Sequence, residues 1–496
     1  MWSRLSFYTS LRRVPRFPAL SWSLPAFLLV MTACEDIVEI ERPFFEDPPA
    51  LAAGFLGYDE EATTLTVCGN CHIGQQSEWE ETAHAGAFET LEASGSSQEF
   101  CEACHTVNGN GNPAEGGGWL ATGDTRYHDV QCESCHGPGE THLMNPDASQ
   151  PLAFVSVGLD LDRGCGECHS GIHHPFVDEW AQSSHAQVVT SAAGRAECQS
   201  CHRGQAILAA WGENADYVEK ESADHLPITC AICHDPHDGT NVGQTRFPVE
   251  TTDVGEHLCA RCHDRRGSPD PTSTRIEPHA PETDLLQGLA GWFPPGADID
   301  PGDILGTHGS DRNERLCATC HVNSFTVTDE ETGDFVFEAT GHLFTAIPCV
   351  NEEGIPVPGD CPVTVEDRSF QGCTEAACHG SESAAFSALE RATERIDRLA
   401  ENLLGQLEQV DPGLADAGGE IDGANPIFTT AEGALFNYEL AVFGGDTRGS
   451  AVHNPFHIEA LLVASIDAVQ EEYGVAPALS RDWKAELRSI LTKAGR

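Results

Sequence analysis

The word Cys-x-x-Cys-His occurs eight times in this chain, opening at Cys68, Cys101, Cys132, Cys165, Cys198, Cys230, Cys259 and Cys317. A stretched ninth copy, Cys373-x4-Cys378-His379, follows. Zinc sites and disulfide exchange require no His directly after the second Cys, so a set that ends in His every time points to another chemistry. The word is the attachment site of c-type haem: the two thiols form thioethers to the porphyrin edge, and the His binds iron from one face. The expected thioether residues are Cys68, Cys71, Cys101, Cys104, Cys132, Cys135, Cys165, Cys168, Cys198, Cys201, Cys230, Cys233, Cys259, Cys262, Cys317, Cys320, Cys373 and Cys378. The expected proximal iron ligands are His72, His105, His136, His169, His202, His234, His263, His321 and His379. Nine c-type haems are expected, eight at regular words and one at the stretched word.

Seven words fall within the 196 residues from Cys68 to His263, or 28 residues per word. With so little protein around each large apolar cofactor, the haems themselves must supply most of the core, and their loss is expected to unfold the chain. The expected fold class is mainly α with extensive loop: short helices around stacked haems, followed by a C-terminal helical bundle. The formal charge of −51, with 27 cationic side chains against 78 acidic ones, repels nucleic acid and anionic lipid. It fits either a solvated acidic surface or the steering of cationic partners, including basic redox proteins.

The spacing of the words reveals a duplication. Cys68 to Cys101 and Cys165 to Cys198 are both 33 residues, and the next steps are 31 and 32. Trp79-x4-His84-Ala85 in the first unit matches Trp180-x4-His185-Ala186 in the second. The third word of each unit is preceded by a His, His128 or His225, and trailed by another, His142 or His237. Two copies of a three-word unit account for these matches.

A Cys-x-x-Cys-His word, Trp-x4-His-Ala, a second word and then Val130-Gln-Cys132-Glu-Ser-Cys-His136-Gly-Pro-Gly together resemble the cytochrome c-554-type multihaem family. That family is related to larger multihaem oxidoreductases of nitrite, hydroxylamine and sulfur compounds. The resemblance is specific over residues 67–145, looser over 164–270 and weak beyond. The Cys373 word is similar to variant attachment sites of small tetrahaem cytochromes. His453-Asn454-Pro455 resembles an element that supplies a sixth iron ligand in related cytochromes.

Residues 1–33 carry four Arg and no acid before the apolar run Phe17 to Ala33, the pattern of a secretory signal. The run ends in Thr32-Ala33-Cys34, which resembles a bacterial lipobox and makes Cys34 the expected lipidation site, with simple cleavage as the alternative. Residues 34–66, acidic and with three prolines, read as the anchor and tether. The destination expected is the periplasm, outer membrane or cell surface of a bacterium, with membrane contact through the lipid only. The remaining boundaries expected are 67–163 for the first three-word unit, 164–270 for words four to seven, 271–382 for words eight and nine, and 383–496 for the bundle. Cys349 and Cys361 are expected to close a small disulfide loop within 271–382, a free redox pair being the alternative. In the bundle, Phe386, Leu389, Thr393, Ile396, Ala400, Leu403 and Leu407 form a helical stripe, and 431–443, 455–471 and 480–494 also have helical periodicity.

Nine proximal His leave fourteen others, and outside the leader Met144 is the sole methionine. Bis-histidine ligation is therefore expected at most irons, which sets low potentials. The sixth ligands expected are His84, His128, His142, His185, His225, His237, His279, His342 and His453. His173, His174, His257, His308 and His457 stand in reserve. Closed irons predict an electron carrier between redox proteins in a respiratory or extracellular chain, with no catalytic residue. The alternative is a reductase or oxidase of nitrite, hydroxylamine or another small oxyanion at one five-coordinate haem.

Overall fold

The computed structural model describes residues 54–112, 116–151, 164–213, 217, 219–220, 222–270, 277–374, 378–411 and 429–476. The expected leader, Cys34, the first part of the tether and the helical run 480–494 lie outside these residues. Before residue 380 the described helices are short, seven residues at most. They include α1 (Ile73–Trp79), α2 (Phe176–Gln182), α3 (Gly204–Ala210) and α4 (Glu282–Gln287). Three antiparallel ribbons supply the described sheet: β1 (Tyr58–Glu60) with β2 (Leu65–Thr66), β3 (Phe325–Thr328) with β4 (Phe335–Ala339), and β5 (Cys349–Val350) with β6 (Pro356–Val357). The fold is mainly helical with extensive loop, as its glycine- and proline-rich sequence leads one to expect.

The apolar side chains divide unequally. In the word-bearing part, the buried apolar clusters are small: Ile207, Leu208, Leu226 and Ile232 form one, and Phe55 with Val107 another. The large core lies in the helices that follow: α5 (Glu382–Val410), α6 (Thr430–Ala441), α7 (Arg448–His453) and α8 (Pro455–Tyr473). The stripe on α5 buries Leu389, Ile396, Ala400, Leu403 and Leu407 against α6 and α8. It is a core face, as its spacing of three and four residues suggests. Helix starts are capped: Ser381 accepts from Ala384 N, Thr429 and Glu432 form a capping box, and Asn454 caps α8 with Pro455 at its first position.

This core also takes in a segment without helical periodicity. Leu285, Ala290, Ile299 and Ile304 pack into it. Asn437 on α6 accepts from Trp292 N at 2.7 Å and donates to Trp292 O at 2.7 Å. Cys349 and Cys361 are joined by a disulfide, and Phe370 enters the core beside α5. Among the described residues, no helix is long and apolar enough to cross a membrane.

One acid in the bundle makes stability depend on pH. Burial, helped by the charge of Glu277, pushes the Glu439 carboxyl up from 4.5 to about 7. The folded state thus binds this proton more tightly than the unfolded chain, and the associated stability is lost as pH rises from about 4.5 through 7. Glu439→Gln should leave unfolding unchanged at pH 4 and stabilise the protein at pH 8; denaturant titrations at both pH values check this.

Candidate haem sites

Each word folds into a single tight turn. The His N–H donates to the carbonyl of the first Cys at 3.0 Å for His72, 2.8 Å for His169, 3.1 Å for His202, 2.8 Å for His234 and 3.0 Å for His263. One turn therefore carries both thiols and the ring. The stretched word closes the same bond, His379 N to Cys373 O at 3.2 Å, so its extra residues leave the two ends in the usual relation.

Eight of the nine word histidines face a second His ring. The pairs are His72–His142, His84–His169, His136–His237, His185–His263, His202–His279, His234–His342, His308–His379 and His321–His453, with ring centres 6.0–6.3 Å apart. Two metal–nitrogen bonds of about 2.0–2.1 Å, with about 1.1 Å from each nitrogen to its ring centre, give about 6.2–6.4 Å. A ring-to-ring hydrogen bond or stack would be shorter, so the spacing fits one metal ion between each pair.

The ring tautomers agree. A carbonyl only accepts, so a ring whose Nδ1 bonds one carries its proton there and leaves the Nε2 lone pair free. Backbone carbonyls stand at 2.6–3.1 Å from Nδ1 of His105, His142, His234, His308, His321, His342 and His453. Burial also depresses His169, His185, His342 and His453 to about 4, which keeps these rings neutral. His342 is positioned from far away in sequence: the buried Glu179 carboxylate accepts from His342 N at 2.6 Å and from Thr340 N at 2.9 Å.

Two of the expected sixth ligands, His128 and His225, face no second His ring among the described residues. His128 lies stacked on Phe88 at 3.8 Å, with Trp119 against it at 4.6 Å, and its Nε2 is buried without a hydrogen-bond partner. His225 faces no other His ring among the described residues, and its buried Nδ1 lacks a hydrogen-bond partner. Both were singled out for preceding a word, a position that does not aim the ring. His308, held in reserve, stands instead opposite His379. Other reserve residues have structural contacts: His257 caps a turn by accepting from Cys259 N, His457 Nε2 donates to Ala290 O at 2.7 Å, and His173 stacks on Phe335. His105 has no counterpart at the pair spacing among the described residues. His174 lies within electrostatic reach of His105, and its ring is 6.3 Å, edge-on, from His169.

The thiols show which words are neighbours. Cys68 interacts with Cys132, Cys104 with Cys168, Cys165 with Cys230, Cys201 with Cys262 and Cys259 with Cys317, so these thiols are neighbours. Electrostatic contacts add Cys135 to Cys165, Cys233 to Cys259 and Cys320 to Cys373. Numbered in chain order, words 1–3, 2–4 and 3–4 touch, and the same pattern recurs as 4–6, 5–7 and 6–7. The duplication read in the spacing is thus also one of neighbours. Matching hydrogen bonds underlie it: Trp79 Nε1 donates to Val130 O at 3.0 Å and Trp180 Nε1 to Ile228 O at 2.8 Å. Likewise Val130 N donates to His84 O and Ile228 N to His185 O, both at 3.1 Å.

Comparison with known proteins agrees with these sites. Residues 67–137 match the family model described as cytochrome c554 and c-prime, and residues 225–269 match a doubled CXXCH motif. The chain is 27% identical over 177 residues to the multiheme cytochrome MtrA of Shewanella baltica (strain OS185), covering 31% of this chain and 47% of that protein. It is 33% identical over 131 residues to cytochrome c-554 of Nitrosomonas europaea, covering 21% of this chain and 54% of that protein. The chain thus spans about half the length of the curated relatives it matches. Among solved structures, the outer cell wall cytochrome OcwA superposes with a TM-score of 0.54 at 17% identity, over 84% of this chain and all of that one. That likeness is one of fold.

Proposed function

We propose that this chain, which belongs to the multihaem cytochrome c family, binds nine haems through its nine words and conducts electrons along them between redox proteins. The observation that carries this reading is the set of eight opposed His pairs at 6.0–6.3 Å. Haem supplies reversible one-electron chemistry, and the protein sets its spacing, ligation and surroundings.

In this reading the word cysteines anchor each group, the word His takes one axial face, and the second His closes the other. His142, His237, His84, His279, His342, His185, His453 and His308 serve the irons of His72, His136, His169, His202, His234, His263, His321 and His379, respectively. His174 is the residue offered to the iron of His105. Backbone carbonyls at Nδ1 hold the rings in place and keep the nitrogen facing the metal unprotonated. The run of neighbouring words, 1-3-4-6-7-8-9 with words 2 and 5 as side branches, supports a continuous path from the Cys68 word to the Cys373 word.

Export is part of this proposal: the leader at 1–33 delivers the chain to a compartment where haem is attached, and lipid at Cys34 tethers it to a bacterial membrane surface. The acidic balance of the chain favours basic redox partners.

The position of His105 favours a second reading. If His174 does not close that iron, a small oxyanion or amine has one open site, and the protein is a reductase or oxidase there. Electron paramagnetic resonance of the oxidised protein separates the two. Conduction through closed irons predicts low-spin signals only, unchanged by nitrite or cyanide. A high-spin signal abolished by either ligand would overturn that closure in favour of catalysis at the Cys101 word.

A further inference from the structure

Most of the paired rings with a bond at Nδ1 lean on a neutral carbonyl. His263 does not. Its Nδ1 faces Glu282 Oε2 at 3.4 Å, at the first residue of α4. That oxygen is buried and has no hydrogen-bond partner among the described residues, and the His453 ring also lies within its electrostatic reach. The placement is rigid. Thr283 N donates to His263 O at 3.1 Å and Arg265 N to Ala280 O at 2.9 Å, tying the start of α4 to the end of the Cys259 word.

One other paired ring has a carboxylate beside it, and the contrast is informative. His237 Nδ1 lies 3.4 Å from Asp235 Oδ1, but Arg246 Nη1 holds the same carboxylate at 2.7 Å. The charge of Asp235 is balanced; no Arg or Lys is bonded to Glu282 among the described residues. A carboxylate whose facing oxygen is buried and has no cationic side chain bonded to it, set on the far nitrogen of a ligating imidazole, gives the ring anionic character, which favours the more highly charged ferric iron.

The Cys259 word is also a junction, touching words 5, 6 and 8 through Cys262–Cys201, Cys259–Cys233 and Cys259–Cys317. We propose that Glu282 is a positioning residue that acts through His263 to make the iron of the Cys259 word the lowest-potential step at this junction. Electrons then pass through the junction without accumulating there, and the branch at word 5 and the two halves of the path remain separately filled. This inference rests on the reading of His263 and His185 as an axial pair.

Spectroelectrochemical titration of the full holoprotein tests it. In Glu282→Gln, with haem content retained, one midpoint should rise by at least a tenfold change in its oxidised-to-reduced ratio, about 59 mV for one electron. One low-spin resonance signal should move with it, Glu282→Asp should restore much of the shift, and Asp235→Asn should shift its own iron less. Unchanged midpoints in Glu282→Gln, or an equal shift in Asp235→Asn, would overturn the role of Glu282. His185→Ala checks the underlying pairing. A new high-spin iron in that variant leaves the ligand reading standing whatever Glu282→Gln shows, whereas an unchanged low-spin spectrum would remove the pairing and the proposal together.

Discussion

Blocking haem attachment should unfold the word-bearing residues 54–270 while leaving the helices α5 to α8, with the Leu285 to Ile304 segment packed on them, folded. The word-bearing part has as its largest apolar cluster Ile207, Leu208, Leu226 and Ile232. Four such side chains contribute about 10 kcal/mol when fully buried. Ordering ten residues already costs about 10–20 kcal/mol, so this cluster cannot hold the segment by itself. The bundle differs, since its helices bury Leu403, Leu407, Leu440, Ile458 and Leu461 completely and carry their own caps. The chain made in a host without haem-attachment enzymes should therefore lose near-ultraviolet circular dichroism and be digested by a dilute protease to fragments that retain α5 to α8 and the segment packed on them but lack residues 54–270. An intact, protected segment across 54–270 in that material would show that the protein forms its core without the cofactors.

Removing the junction word should cut conduction, whereas removing a branch should not. Cys259→Ser with Cys262→Ser deletes the attachment point that touches words 5, 6 and 8. Words 1 to 4 and 6 would then be separated from words 8 and 9. Cys101→Ser with Cys104→Ser removes word 2, whose Cys104 neighbours Cys168 of word 4. Protein-film voltammetry distinguishes the two. The branch variant should exchange electrons with all its remaining haems as one population, and the junction variant should show a second population slower by tenfold or more. Equal behaviour of the two variants would refute the order of neighbours proposed for the path. Both proteins must first show one haem fewer than the parent and retain the helical signal of the bundle.

Much of the attachment chemistry was legible in the sequence because it is local. A word is a tight turn, and in most of its copies the His N–H bonds back to the carbonyl of the first Cys; in the Cys101 word His105 N bonds Glu102 O instead. The stretched copy at Cys373 was readable for the same reason: its ends close the same bond. The duplication was readable too, since equal spacing of Trp79 and Trp180 relative to their words carries equal contacts to Val130 and Ile228. The α5 stripe was legible because burial on a helix repeats every three to four residues.

The pairing of rings was not legible, and the reason is geometric. His169 meets His84 and His379 meets His308, partners separated by dozens of residues and brought together by the packing of different words. Position beside a word made His128 and His225 plausible, yet a neighbour in sequence has no obligation to aim its ring across a cofactor. The packing of Leu285 to Ile304 into the bundle core was hidden likewise, because a loop buried by contacts such as Asn437 to Trp292 has no periodicity to read. Glu282 and Glu179 are ordinary acids in a chain with 78 of them. Their burial and their partners single them out, and burial is a property of the assembled fold. The number and chemistry of the attachment words follow from covalent spacing along the backbone. Which word neighbours which, and which ring completes each pair, follows from long-range packing, where each partner is chosen by the distance and direction that the whole fold imposes.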